Sequence, residues 1–287
     1  MSEDQAYVRF WGVRGSLPSP GQDTALVGGN TPCVEVVGGG TRLVLDAGSG
    51  LRALGDARMK EGDFERTELL LSHVHWDHVM GLPFYTPLYV PGSRVHISSG
   101  PLGAPLRDLL HRQMSAPMFP VDLEKIGSTL TCTELDPDVV THFGALAVRL
   151  LRVSHPDPCF AFRIEHRGRV VVYATDVEHG ETPADDLVAF ARGADLLIYD
   201  AQFTPEEYRG EVGPSRRGWG HSTYEAGAAL AQRARVRTLA LFHHDPRRTD
   251  EGVGELLRRA RSLFPGTIVA REGLSVSLRS PFVEDAA

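Results

Sequence analysis

Apolar residues gather along this chain in short runs separated by Gly, Pro, Asp and Asn. That pattern predicts strands at about 6–13, 33–38, 42–46, 68–72, 94–98, 146–153, 159–166, 169–174, 195–199, 238–242, 267–271 and 274–278. Val170-Val171-Val172-Tyr173-Ala174 is apolar at every position, as expected of a strand buried on both faces. Helical runs fall at about 49–61, 79–86, 102–115, 183–192, 222–235 and 249–263. Gly38-Gly39-Gly40 marks a hairpin. Hairpin-linked strands with helices between them indicate an α/β fold of mixed sheets covered by helices. The Pro- and Gly-rich region 84–145 reads as an insertion lining a substrate entrance.

Polar residues interrupt the pattern most informatively just after the strands. The stretch 68–71 runs into His73-Val74-His75-Trp76-Asp77-His78. Three histidines and an aspartate so close together are hard to explain as packing. His73 and His75 alternate at a strand end, so they point the same way. Asp77 and His78 come after the chain turns and reach a second point. One segment can therefore serve two adjacent metal ions with nitrogen and oxygen ligands. His155 ends the strand 148–153, and Pro156 after it favours extended backbone. Asp176 follows 170–174, and a carboxylate can bind one metal with each oxygen. A turn or helix-capping Asp is the plainer reading there, and His179 is a weaker alternative ligand. His243 and His244 follow 238–242. Neighbours at a strand end face opposite ways, so the residues alone leave open which one faces the site.

His-x-His-x-Asp-His after a strand resembles the hallmark of the metallo-β-lactamase superfamily. Trp11-Gly12-Val13-Arg14-Gly15-Ser16, Gly28-Gly29-Asn30-Thr31-Pro32-Cys33, Leu45-Asp46-Ala47-Gly48-Ser49-Gly50 and Trp219-Gly220-His221 resemble a phosphodiesterase-like metallohydrolase branch more closely than ribonuclease Z, and with the metal motifs the resemblance covers about 8–246. It implies an αββα sandwich of two mixed β-sheets flanked by helices, with the site at one edge. It implies a single catalytic domain over 1–287, because the metal candidates run from 73 to 243. It also implies two divalent metal ions, with Zn²⁺ expected and Mn²⁺ the other choice. One ion would take His73, His75 and His155, the other Asp77, His78 and His243, with Asp176 bridging. A hydroxide held between the ions would be the nucleophile, and Asp77 counts among the catalytic residues too. His243, not His244, aligns with the last ligand of the ribonuclease Z branch; His244 would then lie behind the ligands or face substrate. Asp46 would sit behind the ligands and orient them, where the plainer reading is an Asp-Ala-Gly turn. Asp195-Leu196-Leu197-Ile198-Tyr199-Asp200-Ala201-Gln202-Phe203 matches the strand bearing the His-Glu-Ala-Thr motif of ribonuclease Z, with Asp200 in place of Glu. Gly220-His221-Ser222-Thr223 matches its Gly-His-Ser-Thr segment. That match makes His221 the general acid and Asp200 its partner, a pairing that suits a near-neutral proton donor.

A net charge of −7 argues against a general nucleic-acid coat. Of the 30 basic residues only Lys60 and Lys125 are Lys, so local phosphate contacts would be made by the bidentate guanidinium. Arg14, Arg216, Arg217 and Arg247, with Arg248 beside it, are the candidates. Cys33, Cys132 and Cys159 form no Cys-x-x-Cys pair, which suits a reduced cytoplasmic setting. Met1-Ser2-Glu3-Asp4 lacks the basic and apolar regions of a signal peptide. No run of about 18 apolar residues predicts a membrane span. The expected activity is a two-metal phosphodiesterase acting on a small phosphodiester such as a cyclic nucleotide. The alternatives are tRNA 3′-end processing, with RNA as partner; thioester or lactone hydrolysis; and a metal-bound scaffold without turnover. Ribonuclease Z holds tRNA with a protruding basic arm, and no comparable Lys-rich arm is visible here. By analogy with ribonuclease Z-like proteins a homodimer is expected.

Overall fold

The computed structural model describes residues 6–181 and 183–278 and the backbone of 284–285; Met1–Asp4 lies outside the described residues. Its strands are β1 (Ala6–Gly12), β2 (Cys33–Gly38), β3 (Thr41–Leu45), β4 (Arg66–Leu71), β5 (Arg94–Ser99), β6 (Thr129–Glu134), β7 (Thr141–Phe143) and β8 (Leu146–Val153). They continue with β9 (Cys159–His166), β10 (Arg169–Ala174), β11 (Leu196–Asp200), β12 (Thr238–Phe242), β13 (Thr267–Val269), β14 (Ser275–Ser277) and β15 (Glu284–Asp285). The helices are α1 (Gly50–Glu61), α2 (Trp76–Val79), α3 (Leu106–Gln113), α4 (Asp185–Phe190), α5 (Pro205–Arg209), α6 (Tyr224–Ala234) and α7 (Asp250–Leu263).

The strands form two mixed sheets, ordered β15-β14-β1-β2-β3-β4-β5-β6 and β13-β12-β11-β10-β9-β8-β7. Alternate residues of each strand serve different layers. Phe10, Val36, Leu43 and Leu45 of the first sheet meet Phe162, Ile164, Tyr173 and Phe242 of the second. The opposite faces are apolar as well. Val172, Leu197, Tyr199 and Leu241 pack beneath Leu230, Ala231, Leu256 and Ala260 of α6 and α7. Val44, Leu69, Val95 and Ile97 pack beneath Leu51 and Leu54 of α1 and Leu106 and Leu110 of α3. Strands apolar on both faces must be covered on both, and each buried aliphatic side chain contributes roughly 1.5–3 kcal/mol. The result is an αββα sandwich.

Strand direction gathers the site. β3 and β4 are parallel, as are β10, β11 and β12. β8 and β10 are both antiparallel to β9, so they run the same way. The C-terminal ends of these six strands open onto one edge of the sandwich. Their next residues include Asp46, Ser72, His73, His155, Asp176 and His243, with Asp200 closing β11.

Residues 84–145, expected as a substrate-entrance insertion, supply β5, β6, α3 and β7 at the ends of both sheets. One local expectation fails for a physical reason. The expected helix at 79–86 is replaced by short α2 and 3₁₀ turns at Leu82–Phe84 and Thr86–Tyr89, because Pro83 and Pro87 lack the amide hydrogen a longer helix needs. Among the described residues no helix is long and apolar enough to cross a membrane.

Candidate metal centre

The site stands on strained backbone. Asp46, Asp176 and His243 follow β3, β10 and β12 with φ of 60°, 53° and 58°, and Ser16 has φ of 61°. A non-glycine residue in the left-handed region costs about 1–3 kcal/mol, and such residues cluster at functional sites. The strain lets the chain reverse at each strand end while the side chain stays at the edge. Close packing adds a demand for glycine. A Cβ on Gly15 would collide with the His243 ring, and one on Gly220 (φ 83°) with the His155 ring.

Two groups of donors result. In the first, His73, His75 and His155 present ring nitrogens within 4.8 Å of one another. His75 Nδ1 lies 3.2 Å from His155 Nε2. In the second, the atoms from Asp77, His78, Asp176 and His243 satisfy the same limit. His243 Nε2 is 3.1 Å from Asp77 Oδ2 and 3.3 Å from Asp176 Oδ2, and His78 Nε2 is 3.1 Å from Asp176 Oδ2. Asp176 stands between the groups. Its Oδ1 faces His73 Nε2 at 3.8 Å, while its Oδ2 faces His78 and His243.

The far side of every ring is held by an oxygen, and this network assigns the tautomers. His78 Nδ1 donates to Asp46 Oδ2 at 2.8 Å, His243 Nδ1 to Gln202 Oε1 at 3.0 Å, and His155 Nδ1 to the Gly220 carbonyl at 2.9 Å. His75 Nε2 donates to Asp157 Oδ2 at 2.8 Å. Ser72 Oγ gives its own proton to Asp46 and accepts from His73 Nδ1 at 3.0 Å. A neutral ring held this way turns a lone pair inward. Lone pairs 3.2–3.3 Å apart cannot bond one another, and His73 Nε2 is buried with no partner at all. Cations between them would satisfy these atoms, and imidazole with carboxylate suits a divalent transition metal.

Electrostatics keep His73 neutral but charge His78: burial lowers its pKa, yet Asp176, Asp77 and Asp46 outweigh it and raise it well above the usual histidine range, so a bound cation would take that proton's place. Burial, then the neighbouring His78, pushes His73 well below the usual histidine range, so its ring stays neutral. Burial opposes ionisation of Asp77, yet His78 and His243 hold its carboxyl well below the usual range. Asp176 is held down the same way, first by His243 and then by His78.

Beyond the second group, His221 Nδ1 meets Asp200 Oδ2 at 2.9 Å and Asp176 Oδ1 at 3.7 Å. Asp200 is fully buried; its other oxygen accepts from Gln202 N and Ser222 N, so it cannot turn away. Burial lowers the His221 pKa, but Asp200, Asp176 and Asp77 outweigh it and raise it to about 9. Asp200, His221 and His243 also lie close enough to form a third donor group. Their facing Nδ1 atoms are, however, already engaged by Asp200 and Gln202. The Thr223 side chain caps α6 at Ala226 N and fixes the segment just after His221. Glu178 fixes the segment before it, accepting from Gly218 N at 2.6 Å and Gly220 N at 2.9 Å.

Other predicted residues lie elsewhere. Asp46 sits behind His78, as its expected role requires. His244 does not: its Nε2 donates to the Ala270 carbonyl, its ring is buried away from the donor groups, and burial lowers its pKa to about 3. Arg14 is not a phosphate contact. It is fully buried and spends its donors on the Gly28, Asp245 and Arg248 carbonyls, tying the loop after β1 to the segment after β12. Arg247 is taken by Asp245, and Arg217 lies exposed near Glu181 and over Tyr208. Arg216 stacks on Trp219. His179 donates to or accepts from Ser222 Oγ and packs on Tyr208, outside the donor groups. Cys159 lies against His73 Nδ1 at 3.8 Å. Gln202, Asp157, Ser72, Tyr173 and Glu178 were not anticipated. Only Gln202 carried a signal, since it alternates with Asp200 and so shares its side of the chain.

Residues 41–244 match the family model of the β-lactamase superfamily domain. This chain belongs to the metallo-β-lactamase superfamily. Within the superfamily it falls in the ribonuclease Z-like branch. Ribonuclease Z of Metallosphaera sedula is 27% identical over 255 residues, covering 74% of this chain and 81% of that protein. Ribonuclease Z of Gemmatimonas aurantiaca is 38% identical over 112 residues, 39% of this chain and 32% of that protein. The metallo-β-lactamase fold protein YhfI from Bacillus subtilis superposes with a TM-score of 0.72 at 20% identity, over 96% of this chain and 99% of that one. Membership makes this chain a metal-dependent hydrolase of metallo-β-lactamase fold.

Proposed function

We propose that this chain is a phosphodiesterase with two divalent ions, zinc in the first instance. His73, His75 and His155 would hold one ion, Asp77, His78 and His243 the other, and Asp176 both. When bound, such ions polarise phosphoryl oxygens and lower the pKa of water toward about 7. The chain's own residues do the rest. Asp46, Gln202, Asp157, Ser72 and the Gly220 carbonyl keep each ring turned inward. His221 protonates the departing oxygen through Nε2, while Asp200 holds the proton on Nδ1.

The observation that carries this reading is the Asp200–His221 pair beside Asp176. Expelling an alkoxide needs a proton donor, and expelling a stable anion does not. A thioester hydrolase, which expels a thiolate, has less use for a second buried carboxylate fixing a histidine there. The net charge of −7 favours a small diester, such as a cyclic nucleotide, over a long polyanion. The similarity to Ribonuclease Z of Metallosphaera sedula, over 74% of this chain, favours RNA. Zinc-loaded protein assayed on bis(p-nitrophenyl) phosphate, 2′,3′- and 3′,5′-cyclic nucleotides, a thioester and pre-tRNA separates these readings. Turnover of small diesters, falling only modestly between about 50 and 200 mM salt, is expected. Pre-tRNA cleavage with a steep salt slope and no small-diester turnover would establish the RNA reading instead.

A further inference from the structure

Beside the metal centre lies a second, open cavity of about 340 Å³, lined by Glu207, Arg216, Asp245, Arg247 and Arg248 with the turn at 212–214. It hangs from the same two segments that carry His221 and His243. Two of its cations are already matched. Arg247 Nη2 donates to Asp245 Oδ2 at 2.9 Å, and Arg248 Nη2 to Glu207 Oε2 at 2.7 Å. Arg216 has no carboxylate partner among the described residues. Its guanidinium instead lies over Trp219, 4.3 Å from the ring centroid, and 5.7 Å from that of Phe203. Aromatic contact engages the face of a guanidinium and leaves the in-plane N–H donors free. The stacking also fixes the side chain in advance, so little freedom is lost when an anion binds.

Phe203 packs against both Arg216 and His221. It is buried, and its ring centroid lies 5.9 Å from that of His221. Gln202 makes a second link, since its carbonyl accepts from Arg248 while its side chain accepts from His243. The unmatched guanidinium and the group assigned to protonate the leaving oxygen thus pack on the same ring, 5.7 and 5.9 Å from the Phe203 centroid. We infer that this cavity, through Arg216, binds a second phosphate carried on the leaving group, so that the preferred substrates are diesters whose departing alcohol is itself a phosphate monoester. The inference rests on the phosphodiesterase reading above. It narrows the substrate class to one that a metal centre alone would not select.

The test uses metal-loaded protein at fixed ionic strength and three dinucleotides: ApA, pApA and ApAp. The second and third place a terminal phosphate on opposite ends of the same diester, so one of them presents it on the leaving side. Wild type should show kcat/KM for that substrate roughly tenfold to a hundredfold above ApA, the range for hydrogen bonds to a charged group. Arg216→Gln should collapse this ratio, and Arg216→Lys should restore part of it, which a packing role on Trp219 would not do. Arg217→Gln removes the same charge from the neighbouring residue and should leave the ratio intact. Equal rates on all three dinucleotides in wild type, a ratio unchanged in Arg216→Gln, or one lost equally in Arg217→Gln would overturn the inference. Hydrolysis of bis(p-nitrophenyl) phosphate tells the two failures apart. If it proceeds without any dinucleotide preference, only the second-phosphate site is wrong. If no diester is hydrolysed, the phosphodiesterase reading falls and this inference with it.

Discussion

Replacing Asp46 with Asn tests how the metal centre is held, because Asn keeps the shape and removes only the charge and one acceptor. Asp46 is fully buried and accepts from Ser72 N at 2.7 Å, Ser72 Oγ at 2.9 Å, His78 Nδ1 at 2.8 Å and Tyr173 Oη at 2.7 Å. The Ser72 amide cannot rotate, so the single oxygen of Asn must turn toward it. The new amide nitrogen then faces the two hydroxyls and His78. The hydroxyls can reorient. His78 can only accept the amide hydrogen by moving its own proton from Nδ1 to Nε2, the atom that faces Asp77 and Asp176. That destroys a ligand without touching it. Losing a buried hydrogen bond to a charged group costs about 1.5–3 kcal/mol, and losing a group that orients a ligand weakens metal affinity about 10–100-fold. Denaturant unfolding should report the first effect. Zinc titration against a competing chelator should report the second, confined to the ion held by His78, Asp77 and His243. Wild-type affinity for both ions, or weakening mainly of the ion held by His73, His75 and His155, would refute the reasoning.

Three further outcomes follow from the same geometry. His243→Ala should reduce metal content toward one ion per chain while His244→Gln keeps two, read by elemental analysis; the reverse result would reassign the ligand. His244 is held neutral by burial, with its pKa lowered to about 3 from an ordinary 6.5. The unfolded chain therefore takes up a proton that the folded chain refuses. Its contribution is complete above about pH 6.5 and declines by about 1.4 kcal/mol per unit as pH falls toward 3. Urea unfolding at a series of acid pH values should show a flatter decline in His244→Gln, and equal slopes would contradict the assignment. Ions that bind only the folded chain stabilise it by mass action, about 4 kcal/mol at a thousandfold excess over Kd. A chelator should accordingly lower the melting temperature, and zinc should restore it; a melting temperature indifferent to both would argue against a resident metal.

Where a strand has at least one regularly apolar face, its place was legible in the sequence. The predicted runs 33–38, 146–153, 159–166, 169–174 and 238–242 coincide with β2, β8, β9, β10 and β12. β6 was not legible, since Thr129-Leu130-Thr131-Cys132-Thr133-Glu134 is a half-exposed sheet-edge strand with few apolar residues to mark it. Short α5 was missed too, although Thr204 and Glu207 form a capping box there. Spacing showed which residue types could gather at one edge. It could not show the positive φ at Asp46, Asp176 and His243, because those conformations are set by the packing around the strand ends. Nor could it show the ring partners. Asp157 caps His75 from a distant turn, and no local pattern announces that contact. The arginines mislead for the same reason: Arg14 and Arg216 look alike in sequence, yet one is buried on carbonyl oxygens and the other is stacked with free donors.

The central claim is that His221 gives a proton to the leaving group of a phosphodiester and does not hold metal. The most direct measurement is the dependence of kcat on leaving-group pKa for His221→Ala, with metal content determined on the same sample. Both ions should remain. Turnover should fall roughly 10²–10⁴-fold for an alkyl leaving group and far less for p-nitrophenolate, which departs without a proton. Loss of an ion, or an equal fall for both leaving groups, would contradict the account.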